Sequence, residues 1–532
     1  MNEAARDHGR PEPGTPPDGT PPDGARRDET LRDGAPRDAA PPDGTPPDGS
    51  PRRETRRGET PQDEAPAAGA SHLSVTPELL LRYDRPGPRY TSYPTAVEFS
   101  PEYDEAAYRR SLEEASARKD APLSLYVHLP FCEERCTFCG CNVIITKKRR
   151  IAAEYLDYLH REIRLVAAAL SGRRNLVQYH WGGGTPTYQS PAEMRALQAV
   201  VRECFDLQPD AEVAIEVDPK VTTEEQIDTL MELGFNRLSL GVQDFTPEVQ
   251  AAVNRNQTEE ETRRLYAYAR STGFDSINFD LIYGLPRQTA ATFARSLEST
   301  IALRPDRVAV YSFAYVPWIK GNQKTIETGD LPSPELKMEL FCLAREAFLT
   351  AGYRPVGMDH FALPGDELSL AIEKRTLHRN FMGYTVKQAP DMIGVGVSAI
   401  GDVDGAYAQN VKKLSEYYPA IEAGRFPIDR GYRLSADDRI RRHVITQIMC
   451  NFHLEKADVE RRFEIEFDRY FAPEMEELAA ADGPASHGFL TLTPEAIHLE
   501  PLGRLFVRNV AMVFDVYLRR RQAGRPVFSR TV

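Results

Sequence analysis

Three cysteines within one short segment are the residues best suited to carry chemistry. Cys132, Cys136 and Cys139 follow a Cys-x3-Cys-x2-Cys spacing, and Cys141 comes two residues later. Thiolates are the usual protein ligands of iron–sulfur clusters. Three closely spaced thiolates can hold three irons of a cubane and leave the fourth iron open to chelate amino and carboxylate groups. The spacing therefore predicts a [4Fe–4S] cluster with one open iron.

Zinc is the main alternative metal, because cysteines also form tetrahedral zinc sites. A zinc site generally has two separated Cys or His pairs, and no second pair follows downstream. A disulfide is disfavoured, because residues 1–10 lack the apolar segment of a secretory signal and a reducing cytoplasmic location is therefore expected. Cys141 could substitute as a ligand, but we expect it to line the site without binding iron.

A repeating strand–helix pattern places the cysteines directly after its first strand. Six such units predict a parallel sheet and a full or partial (β/α) barrel. The predicted strands are Leu123–Leu129, Leu176–Trp181, Glu212–Val217, Arg237–Val242, Ser276–Tyr283 and Arg307–Phe313. The predicted helices are Ile151–Leu170, Ala192–Cys204, Thr223–Leu233, Pro247–Ala252, Glu259–Ser271, Ala290–Leu303 and Leu336–Ala351.

Polar residues and glycines recur at one place in this pattern, where each strand ends. Barrel enzymes place their sites at the carboxyl ends of the strands. One polar residue there is as readily a cap or turn residue, but several in register predict one common site. These residues are Tyr126, His128, Gly182–Gly184, Glu216, Asp218, Gln243, Asp244, Asp280 and, after the sixth strand, Ala314.

Two of these strand ends predict contacts to a bound nucleotide-like molecule. Gly182-Gly183-Gly184 permits close backbone approach, and free N–H groups there could meet a carboxylate. No Gly-Lys-Ser/Thr follows, so the segment is not a P-loop. Glu216 could bind ribose hydroxyls, as acidic residues do in nucleotide sites, or could be a buried, paired carboxylate.

The two ends of the chain differ from its middle. Residues 1–75 contain four copies of Pro-Pro-Asp-Gly and almost no large apolar residue, which predicts a disordered tail. Residues 76–120 are expected to cover the site and residues 121–430 to form the barrel. The net charge of −13 disfavours nucleic-acid binding, and no apolar run long enough for a membrane span occurs.

Residues 431–532 predict a mostly helical, winged-helix-like domain. We expect a lid or docking role for it rather than DNA binding, because no dense basic face is evident. The basic runs Lys147–Arg150 and Arg519–Arg521 are expected at the solvated surface. The predicted elements are helices over Asp437–Cys450, Glu455–Phe463 and Arg504–Arg521, and a hairpin of Gly488–Thr493 with Ala496–Glu500.

Eight longer motifs accompany the cysteine segment. Together they resemble the oxygen-independent coproporphyrinogen III oxidases of the radical S-adenosylmethionine (SAM) superfamily, from about Leu80 to Phe528-Ser529-Arg530. The resemblance implies a partial (β/α)6 TIM-like barrel of the radical SAM type. The motifs begin at Arg89 (RYTSYPT), Leu125 (LYVH), Cys139 (CGCN), His180 (HWGGGTPT), Gly241 (GVQDF), Asp280 (DLIYGLP), Gly357 (GMDHFA) and Leu377 (LHRNF).

The resemblance also implies roles for individual residues. The family's cluster ligands correspond to Cys132, Cys136 and Cys139, which with Tyr126 form the implied catalytic set. Two SAM molecules are implied. The cluster-bound molecule would contact Tyr126, Gly183, Glu216 and Ile400. The second would contact Phe138, Gly184, Thr185, Gln243, Arg255, Asp280 and Ala314.

The implied reaction converts two propionate side chains of coproporphyrinogen III into vinyl groups, which gives protoporphyrinogen IX. A 5′-deoxyadenosyl radical made from SAM would abstract a hydrogen atom from each propionate. The implied partners are this substrate and a low-potential electron donor such as flavodoxin or ferredoxin, and a monomer is expected. The alternatives are a haem chaperone or a tetrapyrrole methyltransferase of the same superfamily, and a DNA-associated protein.

Overall fold

The computed structural model describes residues 75–521 and 527–531 of the 532-residue chain. The predicted disordered tail therefore lies outside the described residues, except for its last position. The described part contains seventeen strands of three or more residues. They are β1 Leu123–Leu129, β2 Asn175–Gly183, β3 Asp206–Val217, β4 Arg237–Gln243, β5 Ser276–Tyr283, β6 Arg307–Ser312, β7 Arg354–Val356, β8 His360–Ala362, β9 His378–Asn380, β10 Gly383–Thr385, β11 Asp391–Val395, β12 Ile400–Val403, β13 Ala406–Asn410, β14 Ile428–Arg433, β15 His453–Glu455, β16 Leu490–Leu492 and β17 Ala496–Leu499.

The helices surround these strands and alternate with β1 to β6 along the chain. In the described residues they are α1 Pro77–Tyr83, α2 Glu105–Ser116, α3 Arg149–Ala169, α4 Pro191–Cys204, α5 Glu224–Leu233, α6 Pro247–Ala252, α7 Glu259–Thr272, α8 Ala290–Leu303, α9 Pro334–Thr350, α10 Glu367–Glu373, α11 Leu414–Glu422, α12 Ala436–Asn451, α13 Lys456–Phe463, α14 Phe467–Tyr470, α15 Ala472–Ala479, α16 Pro501–Leu505, α17 Val507–Val513 and α18 Val516–Arg520.

Strands β1 to β6 lie side by side in chain order and are all parallel. The predicted six-unit partial barrel is therefore confirmed. The sequence pattern did not reveal that the sheet continues at both edges to twelve strands. Strand β11 adds parallel to β1, followed by antiparallel β12, β13 and β14, while β8 and β7 add antiparallel beyond β6.

Local sequence signals fix where the barrel helices begin. Four of them start with a capping box. In this motif the N-cap hydroxyl accepts a hydrogen bond from the backbone N–H of the third helical residue, and the side chain of that residue accepts one from the N-cap N–H. The N-cap residues are Ser190, Thr223, Thr258 and Thr289. The caps at Ser190, Thr223 and Thr289 end the short loops that follow β2, β3 and β5, so these three strand ends are closely tied to their helices.

The barrel core consists of apolar side chains that the strands and helices bury together. Val127, Tyr179, Trp181 and Leu240 on the strands are at most 1% exposed, because helices cover the outer face of the sheet. A second apolar cluster joins α12, α15 and α17 to the short sheet β15–β17–β16. Within the described residues, no helix is both long enough and apolar enough to cross a membrane.

The predicted single helix over Arg504–Arg521 is wrong. The chain forms three short helices, α16 to α18, with interruptions at Phe506 and at Phe514–Asp515. The Asp515 carboxylate accepts hydrogen bonds from the backbone N–H groups of Tyr517 and Leu518, so it caps a new helix rather than continuing the old one. The expected hairpin is present as β16 and β17, and β15 adds a third strand.

A buried ion pair ties the amino-terminal ends of β1 and β11 to the helical layer. Arg173 is 1% exposed, and its Nη1 lies 2.6 Å from the Asp391 carboxylate at the start of β11. The same guanidinium donates to the backbone carbonyls of Ala115, Ala121 and Pro122. Removing it leaves three carbonyls without this donor and leaves the buried carboxylate with only the Arg118 guanidinium and the Asp404 N–H as partners.

We therefore expect Arg173→Met to lower the free energy of unfolding by about 3 kcal/mol or more. The matched control is Arg174→Met, because the neighbouring Arg174 is exposed and pairs with Asp206 at 3.2 Å. The control should change stability by less than about 1 kcal/mol. Urea unfolding followed by circular dichroism measures both, and equal effects of the two substitutions would contradict this account.

Candidate functional site

The cysteine segment is the loop that leaves β1 at the carboxyl edge of the sheet. Phe131–Cys132 forms a two-residue parallel ladder with Ile144–Ile145, which closes the loop on itself. Inside it, the backbone N–H of Cys139 donates to the carbonyl of Cys136 at 3.2 Å. The loop is therefore a compact unit that presents several thiols to one side.

These thiols face a cavity of about 380 Å³ at the carboxyl ends of β1 to β6. That volume lies within the ~300–1,000 Å³ typical of small-molecule sites. The strand ends therefore meet at one place, as the register of polar residues predicted. The residues that were expected to bind the cluster or SAM and that line this cavity are Cys132, Cys136, Phe138, Cys139, Gly183, Gly184, Thr185, Glu216, Gln243, Arg255 and Asp280.

The other three expected residues lie just outside the cavity lining. Tyr126 stacks on the His180 ring with centroids 5.9 Å apart, one layer below the cavity. Ile400 presents its backbone to Gly394, which pairs with Tyr126 across β1 and β11. Ala314 contributes its carbonyl oxygen, which accepts a hydrogen bond from Gln323 at 3.0 Å.

Glu216 is held by residues from β2. Its carboxylate lies 3.5 Å from His180 Nε2 and accepts a hydrogen bond from the Gly183 N–H at 3.1 Å. Burial raises the pKa of Glu216, but the hydrogen bond and charge of His180 and the Gly183 N–H outweigh it and lower that pKa below its ordinary value. The side chain keeps 44% exposure, toward the cavity, so an ionised carboxylate faces any bound molecule.

Asp280 is another cavity carboxylate and lies within β5, three residues before the strand ends. Ser239 Oγ donates to it at 2.9 Å, and Asn278 Nδ2 donates to its other oxygen at 2.9 Å. Burial raises the pKa of Asp280 to about 6, although the Ser239 hydrogen bond opposes the rise. Its protonation state therefore changes close to physiological pH.

Arg255 brings a positive charge to the thiols. Its Nη1 lies 3.8 Å from Cys136 Sγ, its Nη2 lies 3.4 Å from the Asp218 carboxylate, and it also donates to the carbonyl of Gly241. An adjacent guanidinium favours the thiolate form of a cysteine. Arg255 is therefore placed to stabilise thiolate ligands on this side of the cavity.

The chain bends at the end of β4 to bring Gln243 to the cavity. The ladder with β5 shifts register between Gly241 and Gln243, and Gln243 has a φ of 69°. Such an irregularity re-aims a side chain, and a left-handed conformation at a residue other than glycine is characteristic of functional sites.

Two residues that sequence reasoning missed hold the cysteine loop from outside. Asn322 Nδ2 reaches the carbonyls of Cys136, Thr137 and Cys139 at 3.3, 2.9 and 3.1 Å. Gln323 Nε2 bridges the carbonyls of Phe138 and Ala314 at 3.1 and 3.0 Å. Both belong to a 3-10 helix, Gly321–Thr325, that follows β6. No sequence signal beyond that location could have identified them.

The expectation of free N–H groups at the glycines is wrong. The N–H of Gly183 donates to Glu216, and the N–H of Gly184 donates to the Leu129 carbonyl at 2.9 Å. The glycines serve close packing instead. A Cβ at Gly184 would lie 2.6 Å from the backbone of Pro130, and one at Gly183 would lie 2.4 Å from the His128 ring.

The whole Lys147–Arg150 run is exposed, as predicted. Arg149, whose side chain is 57% exposed, also stacks over the Tyr188 ring at 3.7 Å, donates to Glu133 at 2.7 Å and lines the cavity. It therefore helps to form the cavity mouth at the solvated surface.

The cysteine side chains suit an iron–sulfur cluster. Burial raises the pKa of the Cys132 thiol to about 11 and also raises that of Cys136, so ionisation accompanies metal binding rather than preceding it. In the part of the chain that the structure describes, no three His, Cys, Asp or Glu side chains are arranged around a single ion. The ligands of a cubane bind different irons and need not converge on one point.

Comparisons with known proteins agree with the site that the structure shows. The profile of the Radical SAM superfamily matches residues 126–299, and that of the HemN C-terminal domain matches residues 434–506. Over 455 residues the chain is 45% identical to the oxygen-independent coproporphyrinogen III oxidase of Escherichia coli (strain K12). That match covers 85% of this chain and 98% of that protein. The chain belongs to the oxygen-independent coproporphyrinogen III oxidases.

Other members of this oxidase family support the assignment. The oxygen-independent coproporphyrinogen III oxidase of Pseudomonas aeruginosa is 45% identical over 460 residues, which cover 86% of this chain and 98% of that protein. The solved coproporphyrinogen III oxidase (HemN) of Escherichia coli, described as a Radical SAM enzyme, superposes with a TM-score of 0.77 at 44% identity. The superposition covers 81% of this chain and 97% of the solved chain.

A substitution of Asn322 tests whether its hydrogen bonds to the three loop carbonyls hold the cysteine loop. We expect Asn322→Ala to release three loop carbonyls and to speed loss of the cluster from the anaerobically reconstituted protein. Iron content and visible absorbance followed over time measure that loss. Lys324→Ala, an exposed change in the same 3-10 helix, is the control and should leave the rate unchanged. Equal cluster lifetimes in both variants and the parent would refute the role of Asn322.

Proposed function

We propose that this chain catalyses the oxygen-independent oxidation of coproporphyrinogen III to protoporphyrinogen IX in haem biosynthesis. Two propionate side chains each lose carbon dioxide, a hydrogen atom to the 5′-deoxyadenosyl radical and one electron to an electron acceptor, and so become vinyl groups. One observation carries the proposal: in a chain of this family, a three-cysteine loop opens into the same cavity as Glu216, Asp280 and Arg255. The cavity thus joins ligands for a cluster to groups that can hold a cationic nucleotide-like molecule.

The Radical SAM family implies a [4Fe–4S] cluster and SAM. We assign the three cluster ligands to Cys132, Cys136 and Cys139. When bound, these cofactors supply a 5′-deoxyadenosyl radical that takes a hydrogen atom from a propionate side chain. The fourth cysteine, Cys141, also lines the cavity and is not needed as a ligand.

The protein side chains position and shield the reacting molecules. The ionised Glu216 accepts hydrogen bonds from ribose hydroxyls, and His180 and Gly183 keep it oriented. Arg255 balances the negative charge that the thiolate ligands bring into a site of low polarity. The half-buried ring of Tyr126, which stacks on His180 below this layer, helps to keep bulk water from the cavity floor.

A second SAM molecule is part of the proposal. Some of its expected contacts come from the strands beyond Glu216: Gln243 ends β4, Asp280 lies within β5, and Ala314 follows β6. Its other expected contacts, Phe138, Gly184 and Thr185, lie on the cysteine loop and directly after β2.

The remaining parts of the chain receive supporting roles. We propose that residues 76–120 and 431–532 flank the barrel of residues 121–430 and cover its site. Arg89 donates to the Ser312 carbonyl at the end of β6, and Tyr90 Oη donates to Asp515 at 2.9 Å. We further propose a cytoplasmic monomer that receives electrons from a low-potential donor such as flavodoxin or ferredoxin.

The alternatives predict different outcomes in one assay. Anaerobic incubation of the reconstituted protein with coproporphyrinogen III, SAM and a reductant should give a product whose mass shows two successive losses of carbon dioxide. Methylated products would indicate a tetrapyrrole methyltransferase instead. Stoichiometric haem binding without turnover would indicate a haem chaperone, and salt-sensitive DNA binding would indicate a DNA-associated protein.

Cys136→Ala should abolish cluster absorbance and vinyl formation together, because it removes one of three iron ligands. Cys141→Ala removes a cavity thiol that is not assigned to iron, so it should keep the cluster and turn over substrate. Absorbance and product mass, measured on the same samples, distinguish the two. Normal turnover by Cys136→Ala, or cluster loss in Cys141→Ala, would overturn the ligand assignment.

The raised pKa of Asp280 predicts a pH dependence. Its carboxylate is ionised above about pH 6 and gains a proton as the pH falls through that value. We expect kcat/KM to fall on this acid side, because the neutral acid interacts less strongly with the positively charged SAM. Asp280→Asn should be slow at every pH and lack the acid decline. The exposed Asp275→Asn is the control, and an unchanged acid decline in Asp280→Asn would contradict the assignment.

A further inference from the structure

A second cavity lies at the opposite edge of the sheet from the cysteines. It has a volume of about 710 Å³ and shares no lining residue with the cluster cavity. Gln388, Ala389 and Pro390 line it and directly precede β11, whose first residue pairs with Leu123 at the start of β1. The cysteine loop follows the other end of β1, so the strand, about 20 Å long, separates the two cavities.

The lining of this cavity is strongly cationic although the whole chain carries a net charge of −13. It includes four arginines and two histidines but one carboxylate, that of Asp402. Asp402 is already paired with Arg442. The basic residues are Arg375, His378, Arg439, Arg442, His443 and Arg462, and the four arginines among them carry the positive charge.

Three of these arginines form an exposed rim. Within residues 75–521 and 527–531, no carboxylate or carbonyl engages the guanidinium groups of Arg375, Arg439 or Arg462. Most other arginines of this protein pair with an acid or bond to backbone oxygens, as Arg441 does with Asp437 and Glu474. Guanidinium groups that share a cavity and lack partners are available to an anionic ligand.

The base of the cavity carries two histidines and Arg442, which is paired with Asp402. Arg442 and His443 lie half-buried there beside His378. Burial lowers the pKa of His378 to about 4, and the charges of Arg442 and His443 add to this shift, so the imidazole is neutral at physiological pH. A ligand with several anionic groups would gain its charged contacts at the rim.

We propose that this cavity binds a small polyanion, a molecule with two or more phosphate or carboxylate groups. Its concave shape and half-buried base favour a compact ligand over a nucleic-acid backbone, which needs an extended basic face. The site is separate from the cluster cavity and does not depend on the proposed reaction.

Titration calorimetry on the full-length holoprotein at low salt tests this proposal with two ligands, inorganic pyrophosphate and the tetracarboxylate coproporphyrin III. The test variant is Arg439→Gln/Arg462→Gln. The control is Arg461→Gln/Arg469→Gln, which removes the same charge from exposed residues outside the lining. The test variant should bind at least about ten-fold more weakly than the parent, and the control within about two-fold. Unchanged thermal midpoints would show that both variants fold.

The pattern across the two ligands identifies the chemistry. Rim-dependent binding of pyrophosphate supports a phosphate ligand, and rim-dependent binding of coproporphyrin III supports a carboxylate ligand. Equal affinities in the parent and the test variant for both ligands would overturn the proposal. Equal weakening of binding in the control variant would also overturn it, because that result would show a general charge effect. Displacement of the bound ligand by short duplex DNA would overturn it as well.

Discussion

The site depends on how the cysteine loop after β1 is held in place by contacts other than those of its thiols. The proposed ligand role of Cys132, Cys136 and Cys139 requires free thiols, which are then not available to anchor the loop by a disulfide. Hydrogen bonds to the backbone of the loop hold it instead. They come from the Ile144–Ile145 ladder, from Asn322 and Gln323 after β6, and from Val253, whose carbonyl accepts the N–H of Thr137 at 3.0 Å.

This anchoring links distant parts of the sheet. The loop leaves β1, yet its strongest side-chain support comes from the segment after β6, at the far end of the parallel strands. The loop therefore spans the carboxyl edge of the sheet and faces the groups that β3 to β5 provide. Closing the cavity in this way places Glu216 and Asp280 opposite the thiols, where low polarity strengthens their interactions.

The sequence predicted the parts of this arrangement that have local signals. The alternation of apolar strands with capped helices gave β1 to β6 within a few residues, and the polar residue at each strand end predicted one common cavity. The resemblance to a family supplied residue roles that spacing alone could not, such as those of Ile400 and Ala314. Eleven of the fourteen expected residues line the cavity, although their individual roles stay predictions.

The sequence did not predict features that arise from tertiary contacts. The antiparallel strands at both sheet edges are short and lack a clear alternation, so they carry little local signal. Asn322 is one polar residue in a loop until the fold brings it beneath the cysteines. The break before α18 depends on Asp515 acting as a cap, although the apolar periodicity across it suits one continuous helix.

The central claim is that three cysteines hold a cluster whose fourth iron is open to SAM within this cavity. Electron paramagnetic resonance of the reduced, anaerobically reconstituted protein, recorded before and after adding SAM, tests it most directly. The account predicts a [4Fe–4S] signal that changes its g-values when SAM binds the open iron. A signal that SAM leaves unchanged, or the absence of any cluster signal, would contradict it.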